Sequence, residues 1–477
     1  MTARLSTQAL SSLGPAVSVP AYDREQLRSG IVHLGVGNFH RAHQALYTEK
    51  AIECAGGDWG ITGVSLRSDT VPRQLQPQDC LYSVLVEDGQ HTDLRIVGVL
   101  KRVLYAGEQM DEICDAIARA HTHIVTLTIT EKGYCAAEDG RSLNMTDPGI
   151  AADLANAGEP RTAIGLLALG LLRRQESGAG PLTIISCDNV SENGRVLEAV
   201  LGQYVALAFP GLLDWLQHNT RFPCSMVDRI VPATEAGQQQ RQWLMLGLED
   251  HAAVATEVFS QWIVEDSFCA PRPAWEQAGV RYVDDIKPYE NIKLGLLNAA
   301  HSAIAYAGLL TGLETVDAVV EDPKLATFLH HLMNEDLMPA LRVPPEFNLP
   351  AYRDQLLQRF ANPHLAHRCQ QIAMDGSEKI PQRWLQVLQT NGEPKQLLKA
   401  LACWCFYILY SEHEIQDPRA SRLYELRGDT SDSALEALLA CARITRESVA
   451  DFDSLQAQLR QNLDAIAAGS ARAMLTG

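Results

Sequence analysis

Short apolar runs alternate with helix-like periodicity through the first half of the chain. Strands that alternate with helices form a mainly parallel sheet with both faces covered. Ligands bind beyond the carboxyl ends of the strands in such sheets. We therefore predict an α/β domain with its binding site at that edge. The runs, which are rich in Ile, Val and Leu as buried strands are, lie at residues 31–34, 60–66, 93–100, 124–129 and 182–187.

Beyond about residue 286 the periodicity becomes predominantly helical. We place a domain boundary near residue 285, which gives an N-terminal α/β domain, residues 1–285, and a mainly α-helical C-terminal domain, residues 286–477. Proline-rich connectors interrupt the second domain without resembling a flexible linker. Its predicted helices cover residues 317–334, 352–360, 395–411 and 433–444.

The first apolar run leads into a glycine turn with the sequence Gly-Val-Gly-Asn-Phe. In a dinucleotide-binding fold, the first glycine makes the tight turn and the second lets a pyrophosphate approach the backbone where a helix begins. His40 stands where the third glycine of the usual fingerprint is found. The motif is weak by itself, but it makes Gly35, Gly37, Asn38 and Phe39 candidate cofactor-binding residues.

The second apolar run ends at Arg67-Ser68-Asp69. An acidic residue after the second strand binds the adenosine ribose and repels a 2′-phosphate, so Asp69 favours NAD over NADP. The spacing is longer than in the usual fingerprint, and Arg67 is placed to receive such a phosphate instead. Asp69 as a simple loop or capping residue is the alternative. We predict Arg67 and Asp69 as cofactor-binding residues and NAD as the cofactor.

A mostly apolar run at residues 290–301 carries Lys293, Asn298 and His301. On an α-helix these residues lie at about 0°, 140° and 80°, so all three project from one side. Leu294 and Leu297 share that arc, and their exclusion of water is expected to lower the pKa of the lysine toward neutrality. A lysine with such a pKa is a suitable general base. The alternative is a lysine that extends to solvent beside a core histidine.

Composition and charge limit the class of partner. The chain has 477 residues, of which 46% are hydrophobic and 21% charged, as in soluble proteins of two or more domains. A net charge of -18 argues against nonspecific binding to nucleic acid or anionic membranes, so we expect small-molecule partners. Eleven cysteines without a repeated spacing indicate free thiols. Without a signal peptide or a run of about 18 apolar residues, we expect a cytoplasmic protein.

Five motifs carry a resemblance to a known family, and they occupy residues 35–43, 128–134, 186–189, 222–230 and 290–301. In this order they resemble the long-chain polyol dehydrogenase family, which includes mannitol 2-dehydrogenases, arabinitol dehydrogenases and fructuronate reductases. The resemblance implies an expanded Rossmann-type N-terminal domain and a helical C-terminal domain, with the active site in the cleft between them. It also implies NAD-dependent oxidation of a secondary alcohol to a ketone without a metal.

The resemblance also implies residue roles. Lys293 is similar to the general base that takes the hydroxyl proton. Asn189 and Asn298 resemble the pair that hydrogen-bonds the reacting oxygen and stabilises its developing negative charge. His301 is expected to orient the substrate and to help position Asn298. No metal is expected, because the nearest metal-like pair, His40 with His43, lies on the glycine turn and lacks a clear third ligand.

Two further carboxylates take roles from the same resemblance. Asp228 is similar to a substrate-binding or lysine-supporting carboxylate. Glu131, beside the cofactor, resembles a residue on a proton path to solvent.

The substrate cues disagree. Residues 67–69 are similar to the polyol-oxidising members, whereas residues 372–383 are closer to the fructuronate reductases. A uronate needs a cation for its carboxylate; His367, Arg368, Lys379 and Arg383 are available, although solvated or structural charge is the alternative. We favour a polyol such as mannitol or arabinitol, with fructuronate or tagaturonate reduction as the alternative.

Two interpretations from other classes are alternatives. A 3-hydroxyacid dehydrogenase of the phosphogluconate type also carries a lysine and an asparagine on a helical domain. Three residues separate that pair, whereas four separate Lys293 from Asn298. The other alternative is a non-catalytic NAD-binding protein, which the retention of several costly polar groups in an apolar helix disfavours.

Overall fold

The computed structural model describes residues 3–88, 91–363 and 367–476. The chain divides into two units, one ending at Ile286 and the other beginning at Lys287. All strands among the described residues belong to the first unit. In chain order they are β1 (Val17–Ser18), β2 (Ile31–Leu34), β3 (Ile61–Ser65), β4 (Tyr82–Glu87), β5 (Thr92–Val97), β6 (Leu100–Tyr105), β7 (Ile124–Leu127), β8 (Leu182–Ser186), β9 (Thr220–Arg221), β10 (Ser225–Asp228), β11 (Val254–Thr256), β12 (Gln261–Glu265) and β13 (Arg281–Val283).

Six of these strands form one parallel sheet in the order β6-β3-β2-β7-β8-β9. Numbered within the sheet, this is the 3-2-1-4-5-6 order of the dinucleotide-binding Rossmann fold. Leu34 of β2 is in register with Val64 of β3 and Leu127 of β7. The turn after β2 therefore begins beside the carboxyl ends of both neighbouring strands.

Helices cover both faces of this sheet, which confirms the predicted α/β architecture. The α-helices among the described residues of the first unit are α1 (Asn38–Ala42), α2 (Gln44–Ala55), α3 (Thr70–Leu75), α4 (Met110–Ala118), α5 (Pro148–Ala155), α6 (Ala163–Glu176), α7 (Asn193–Ala208), α8 (Leu213–Asn219), α9 (Ala236–Leu246) and α10 (Trp275–Ala278). Alternate strand residues face opposite sides, so Val32 and Leu34 pack with α4, α6 and α7, whereas Ile31 packs with α2 and α10.

The run at residues 93–100, predicted as one strand, is divided between two sheets. β5 belongs to a four-stranded sheet of order β1-β5-β4-β11, whereas β6 is the edge of the parallel sheet. Between them, the amides of Gly98 and Val99 donate to the buried carboxylate of Glu49 rather than to a neighbouring strand. A third sheet has the order β10-β12-β13. These two smaller sheets expand the first unit beyond the six-stranded core.

The second unit is helical in its described residues apart from a bridge between Thr315 and Arg368. Two segments, Lys293–Asn298 and Leu332–Leu337, are π-helices. The α-helices are α11 (Lys287–Ile292), α12 (Ala299–Thr311), α13 (Val316–Glu321), α14 (Pro323–His331), α15 (Leu349–Phe360), α16 (Cys369–Ala373), α17 (Gly376–Thr390), α18 (Lys395–Leu409), α19 (Ala420–Leu426), α20 (Asp432–Cys441), α21 (Phe452–Ala468) and α22 (Ala471–Thr476).

The predicted helix at residues 317–334 is interrupted at Asp322. Its carboxylate accepts hydrogen bonds from the amides of Lys324 and Leu325 and so caps α14, whose first residue is Pro323. A capping aspartate followed by proline begins a new helix. The apolar periodicity continues through this break, which explains why it predicted one helix.

Among the described residues, the helical run Lys287–Thr311 is long and apolar enough to cross a membrane by length and composition alone. It has 25 residues and contains an 18-residue window with a mean hydropathy of 1.2. This qualifies the expectation that no run suggests a span. In the window that satisfies the test, 67% is buried within the protein. A core helix of a globular domain satisfies the same test, so the run is weak evidence for a membrane span.

Candidate active site

The glycine turn has two glycines with different structural requirements. Gly35 has a φ of +98°, and a Cβ atom there would lie 2.0 Å from the carbonyl oxygen of Thr128, so only glycine fits. Gly37 has an ordinary φ of −89°, and the nearest atom to a Cβ there would be 3.8 Å away. The space beside Gly37 is therefore open. An approaching pyrophosphate requires such a space at the start of a helix.

Two stacked histidines lie beneath this turn. The rings of His33 and His40 are 3.4 Å apart and nearly parallel, and both residues are fully buried. His33 hydrogen-bonds Thr126 at 2.7 Å and Thr128 at 2.9 Å. Burial lowers the pKa of His33 to about 3, so its ring is neutral near pH 7. The histidine in place of the third glycine thus packs inside the domain and supports the turn.

The side chains of Asn38 and Phe39 are held by the protein itself. The Oδ1 atom of Asn38 accepts a 2.6 Å hydrogen bond from the buried guanidinium of Arg41, which also donates to the carbonyl of Ala252. Phe39 stacks on His43 with 4.9 Å between the ring centres. We therefore expect any contribution of Asn38 to cofactor binding to come from its backbone amide at the start of α1.

Arg67 and Asp69 lie in the loop after β3. The carboxylate of Asp69 forms an ion pair with the guanidinium of Arg73 one turn later, whereas Arg67 is exposed. Asp69 occupies the N-cap position of α3, but its side chain makes no capping hydrogen bond in the described structure. Asp69 thus lies in a loop at a helix start without a side-chain cap, and its predicted contact with the cofactor stays a prediction.

Glu131 and Asn189 follow two adjacent strands at the carboxyl edge of the sheet. Glu131 opens a 3₁₀ turn shortly after β7, and Asn189 follows β8; both are exposed. Asp188, which belongs to the 186–189 motif but has no predicted role, connects the two loops. Its carboxylate accepts hydrogen bonds of 2.9 Å from the amides of both Ile129 and Thr130. A polar residue at the end of each of two neighbouring strands was the signal available in the sequence.

Thr130 itself is strained. Its φ of +64° and ψ of 163° belong to a region that is essentially restricted to glycine, and such a conformation costs about 1–3 kcal/mol. A strained residue beside a ligand-binding edge is typical of functional sites.

Asp228 is the last residue of β10 and is only 5% exposed. It therefore lies in the three-stranded sheet and not in the parallel one. The following residue, Arg229, donates to the carbonyl of Ala42 at 2.7 Å and to that of Glu257 at 2.7 Å. The guanidinium thereby ties the end of β10 to the last residue of α1.

The lysine run is not a regular α-helix, which corrects the prediction above. Residues Lys293–Asn298 form a π-helix, in which the amide of Ala299 donates to the carbonyl of Leu294 five residues earlier. A π turn contains more residues than the 3.6 of an α-helix, so Lys293 and Asn298 are separated by little more than one turn instead of the expected offset of about 140°. Three α-helical steps then bring His301 back to within about 60° of Asn298.

The structure thus places the three predicted catalytic residues of this helix closer to one line than an α-helix would. Lys293 and Asn298 are partly buried, and His301 is 8% exposed. The His301 ring lies 4.6 Å from that of Phe360 and edge-on to His367 at 5.4 Å. Burial and the nearby charge of Lys379 lower the pKa of His367. His301, His367 and Lys379 are therefore neighbours.

The predicted basic cluster is less uniform than its sequence suggests. Arg383 donates to the hydroxyl of Ser302 at 2.7 Å, and burial lowers the pKa of Arg383 to about 10. The ammonium of Lys379 lies 3.8 Å from the carboxylate of Asp375. Arg368 is exposed at the N-cap of α16. Two of the three cations therefore have partners within the protein.

His40 and His43, the pair that resembles metal ligands in the sequence, both contact other groups of the protein. His40 stacks on His33 as described, and the Nε2 atom of His43 lies 2.9 Å from the carbonyl oxygen of Gln261. Within residues 3–88, 91–363 and 367–476, no three His, Cys, Asp or Glu side chains are grouped to hold a metal ion.

Comparisons with known proteins match both halves of the chain. Residues 29–277 match the model of the mannitol dehydrogenase Rossmann domain, and residues 285–467 match that of the mannitol dehydrogenase C-terminal domain. A D-mannonate oxidoreductase of Escherichia coli strain K12 is 42% identical over 400 residues, 82% of each chain. A mannitol 2-dehydrogenase of Phaeosphaeria nodorum is 36% identical over 489 residues, 99% of this chain and 85% of that one.

A solved structure is similar over its whole length. It is the ternary complex of Pseudomonas fluorescens mannitol 2-dehydrogenase with NAD and D-mannitol, which is 33% identical to this chain. The similarity covers 99% of this chain and 98% of that one, with a TM-score of 0.85.

Proposed function

The chain belongs to the mannitol dehydrogenase family, as its motifs indicated, and from this we propose that it is an NAD-dependent oxidoreductase that interconverts a secondary alcohol of a polyol and the corresponding ketose. The observation that carries the proposal is the π turn, which aligns Lys293, Asn298 and His301 on one side of their helix. General acid–base chemistry on a hydroxyl group requires such a convergence of polar groups.

The first unit has the features that a dinucleotide requires. Gly35 makes the turn, the space beside Gly37 is open, and Asp69 follows the second strand of the sheet, where an adenosine ribose binds. Asp69 supports NAD as the cofactor, and so does the NAD in the Pseudomonas fluorescens complex. NAD, when bound, supplies the acceptor for the hydride that leaves the carbinol carbon.

In the proposed mechanism, Lys293 removes the hydroxyl proton of the substrate. Departure of hydride from the carbinol carbon requires this proton to leave at nearly the same time, so a base must lie within hydrogen-bond reach. The amide side chains of Asn298 and Asn189 donate hydrogen bonds to the reacting oxygen as negative charge develops on it. His301, packed against Phe360 and His367, orients the substrate, and Glu131 passes the proton to solvent.

We propose a neutral polyol as substrate, with a uronate as the second candidate. The guanidinium of Arg383 and the ammonium of Lys379 already have partners in Ser302 and Asp375, which supports a neutral sugar alcohol. The second candidate, reduction of fructuronate or tagaturonate, is supported by the 42% identity to the D-mannonate oxidoreductase. In that reaction the exposed Arg368 would bind the substrate carboxylate.

The test measures the absorbance of NADH with the purified protein and fructose, xylulose, fructuronate or tagaturonate, then repeats the series with NADPH. Consumption of NADH with the neutral ketoses supports the polyol dehydrogenase, whereas consumption only with the uronates establishes the second candidate. NADH binding without turnover on any of the four would overturn both and leave a non-catalytic NAD-binding protein.

The lysine role has its own control. Lys293→Ala should lower kcat by about 10²- to 10⁴-fold, the usual contribution of a general base, and should leave NADH binding near normal. Simultaneous loss of binding and activity would contradict the role of Lys293.

The proposed location of the protein is the cytoplasm. All eleven cysteines are free, as expected in a reducing compartment.

A further inference from the structure

We propose that Asp188 is a positioning residue whose carboxylate clamps the strained peptide of Thr130 and thereby fixes Glu131 and Asn189 for catalysis. The inference rests on the proposed function, because Glu131 and Asn189 have roles only in that reaction. The side chain of Asp188, in the loop after β8, hydrogen-bonds the backbone of the loop after β7. Both loops belong to the first unit.

The carboxylate fixes the peptide group on the N-terminal side of Thr130. Its Oδ2 atom accepts from the amide of Ile129 and its Oδ1 atom from the amide of Thr130, both at 2.9 Å. On the other side, the carbonyl of Thr130 accepts from the amide of Gly133 at 2.9 Å. Because the peptide groups before and after Thr130 are both held by hydrogen bonds, the positive φ between them is held as well. Without Asp188 the first of these peptide groups could rotate, and Thr130 could relax toward a negative φ.

The carboxylate is itself held from a third side. The hydroxyl of Tyr134, which is 1% exposed, donates to Oδ2 of Asp188 at 2.7 Å and also contacts the hydroxyl of Ser186. The carbonyl of Asp188 accepts a 3.0 Å hydrogen bond from Asn193, a fully buried side chain that also bonds the backbone of Ser225. Asp188 therefore has little freedom to follow a moving loop.

The clamp acts on two proposed functional residues at once. Glu131 directly follows Thr130, so the direction of its backbone depends on the φ and ψ of that residue. Asn189 directly follows Asp188, so its backbone is fixed by the bonds of Asp188 on one side. Release of the clamp is therefore expected to move both residues while leaving the glycine turn intact. A misplacement of about 1 Å in a catalytic group reduces rates by as much as about 100-fold.

Asp188→Asn tests the clamp with a side chain of the same shape. The amide group replaces one acceptor by a donor, which then faces a backbone N–H. We expect kcat to fall by about 10- to 100-fold, with the dissociation constant of NADH changed less than about threefold, on whichever substrate the wild-type protein turns over. Hydrogen–deuterium exchange of a peptide covering residues 128–134 should become faster, because the two amides lose their buried acceptor.

Thr130→Gly provides the matched control. Glycine adopts the observed φ without strain, so the clamp is expected to matter less in this background. The loss of kcat caused by Asp188→Asn should shrink at least about tenfold in the double variant, a coupling of the size found for residues in direct contact. An equal loss of kcat in both backgrounds would overturn the positioning role, because it would show that Asp188 acts independently of Thr130.

The two readouts separate the possible failures. Unchanged exchange in Asp188→Asn would overturn the clamp, and faster exchange with unchanged kcat would overturn its role in positioning. If the wild-type protein turned over none of the substrates, the proposed function would fail, although the exchange measurement would still test the clamp. If Asp188→Asn did not fold, Tyr134→Phe would replace it. This variant removes one hydrogen bond from Oδ2 and should show both effects at smaller size; the absence of both would overturn the proposal.

Discussion

The two glycines of the turn after β2 should respond to the same substitution in opposite ways. Gly35→Ala introduces a methyl group at a φ of +98°, 2.0 Å from the carbonyl oxygen of Thr128. The backbone of Thr128 cannot easily withdraw, because its amide donates to the carbonyl of Leu34 at 2.9 Å. Gly37→Ala introduces the same methyl group at a φ of −89°, with the nearest heavy atom at 3.8 Å.

The expected magnitudes follow from these distances. A left-handed backbone costs alanine about 1–2 kcal/mol, and displacement of Thr128 weakens at least one hydrogen bond of about 1 kcal/mol. The lower entropy of unfolded alanine offsets up to about 1 kcal/mol of this loss. Gly35→Ala should therefore destabilise the protein by about 2 kcal/mol. For a unit as long as the first one, this lowers Tm by roughly 3 °C. Gly37→Ala should leave Tm unchanged or slightly higher.

Gly37→Ala, the variant with the smaller expected change in Tm, should show the clear loss of NADH affinity. Isothermal titration calorimetry with NADH should show an affinity at least about tenfold lower for Gly37→Ala, because the methyl group fills the space through which a pyrophosphate approaches the backbone. Circular dichroism melts of both variants and the wild type supply the Tm values. Wild-type NADH affinity in Gly37→Ala would refute the placement of the pyrophosphate beside Gly37. A wild-type Tm in Gly35→Ala would refute the rigidity assigned to the turn.

Three further predictions concern single side chains. Asn298→Ala should lower kcat by about 10²- to 10³-fold through loss of a donor to the reacting oxygen; steady-state kinetics that show only a raised KM would contradict this. Because the folded pKa of His33 is about 3, below the unfolded value of about 6.5, its contribution to stability is fully present above about pH 6.5 and is lost progressively as the pH falls toward 3. Urea unfolding at several pH values should therefore show that the free energy of unfolding falls less at acid pH in His33→Gln than in the wild type. An equal fall in both proteins would contradict the assignment of a neutral, buried His33. Arg73→Ala should increase the preference for NADH over NADPH by about two- to fivefold, since it removes the cation that compensates Asp69; competition kinetics with an unchanged preference would show that the pair is unimportant.

Much of the first unit could be predicted because its strands are locally encoded. β2, β3, β7 and β8 are continuous apolar runs, and all their residues are buried. The division of residues 93–100 between β5 and β6 could not be predicted, because it depends on Glu49, whose carboxylate accepts from Gly98 and Val99. Nothing in the local sequence of α2 distinguishes this buried glutamate from an exposed one.

The residues of the candidate site stay predictions, but the backbone that carries three of them is described by the structure. The run at residues 290–301 is helical as predicted, with a π-helix at Lys293–Asn298. Hydrophobic periodicity does not report whether a backbone hydrogen bond spans four residues or five, so the π-helix could not be predicted. The positioning role proposed for Asp188 could not be predicted from the sequence, because it depends on the positive φ of Thr130. A threonine in that conformation is unexpected from sequence, since β-branched residues rarely adopt it.

The π turn also changes what sequence spacing means for this helix. In an α-helix, a lysine and an asparagine separated by three residues lie about one turn apart. Here four residues separate Lys293 from Asn298, and the π-helix absorbs the additional residue within a single turn. Two different spacings thus produce nearly the same presentation of the two side chains. A search for related sites by fixed sequence spacing would miss this equivalence, and a transplant of these residues onto a regular α-helix would need one residue removed.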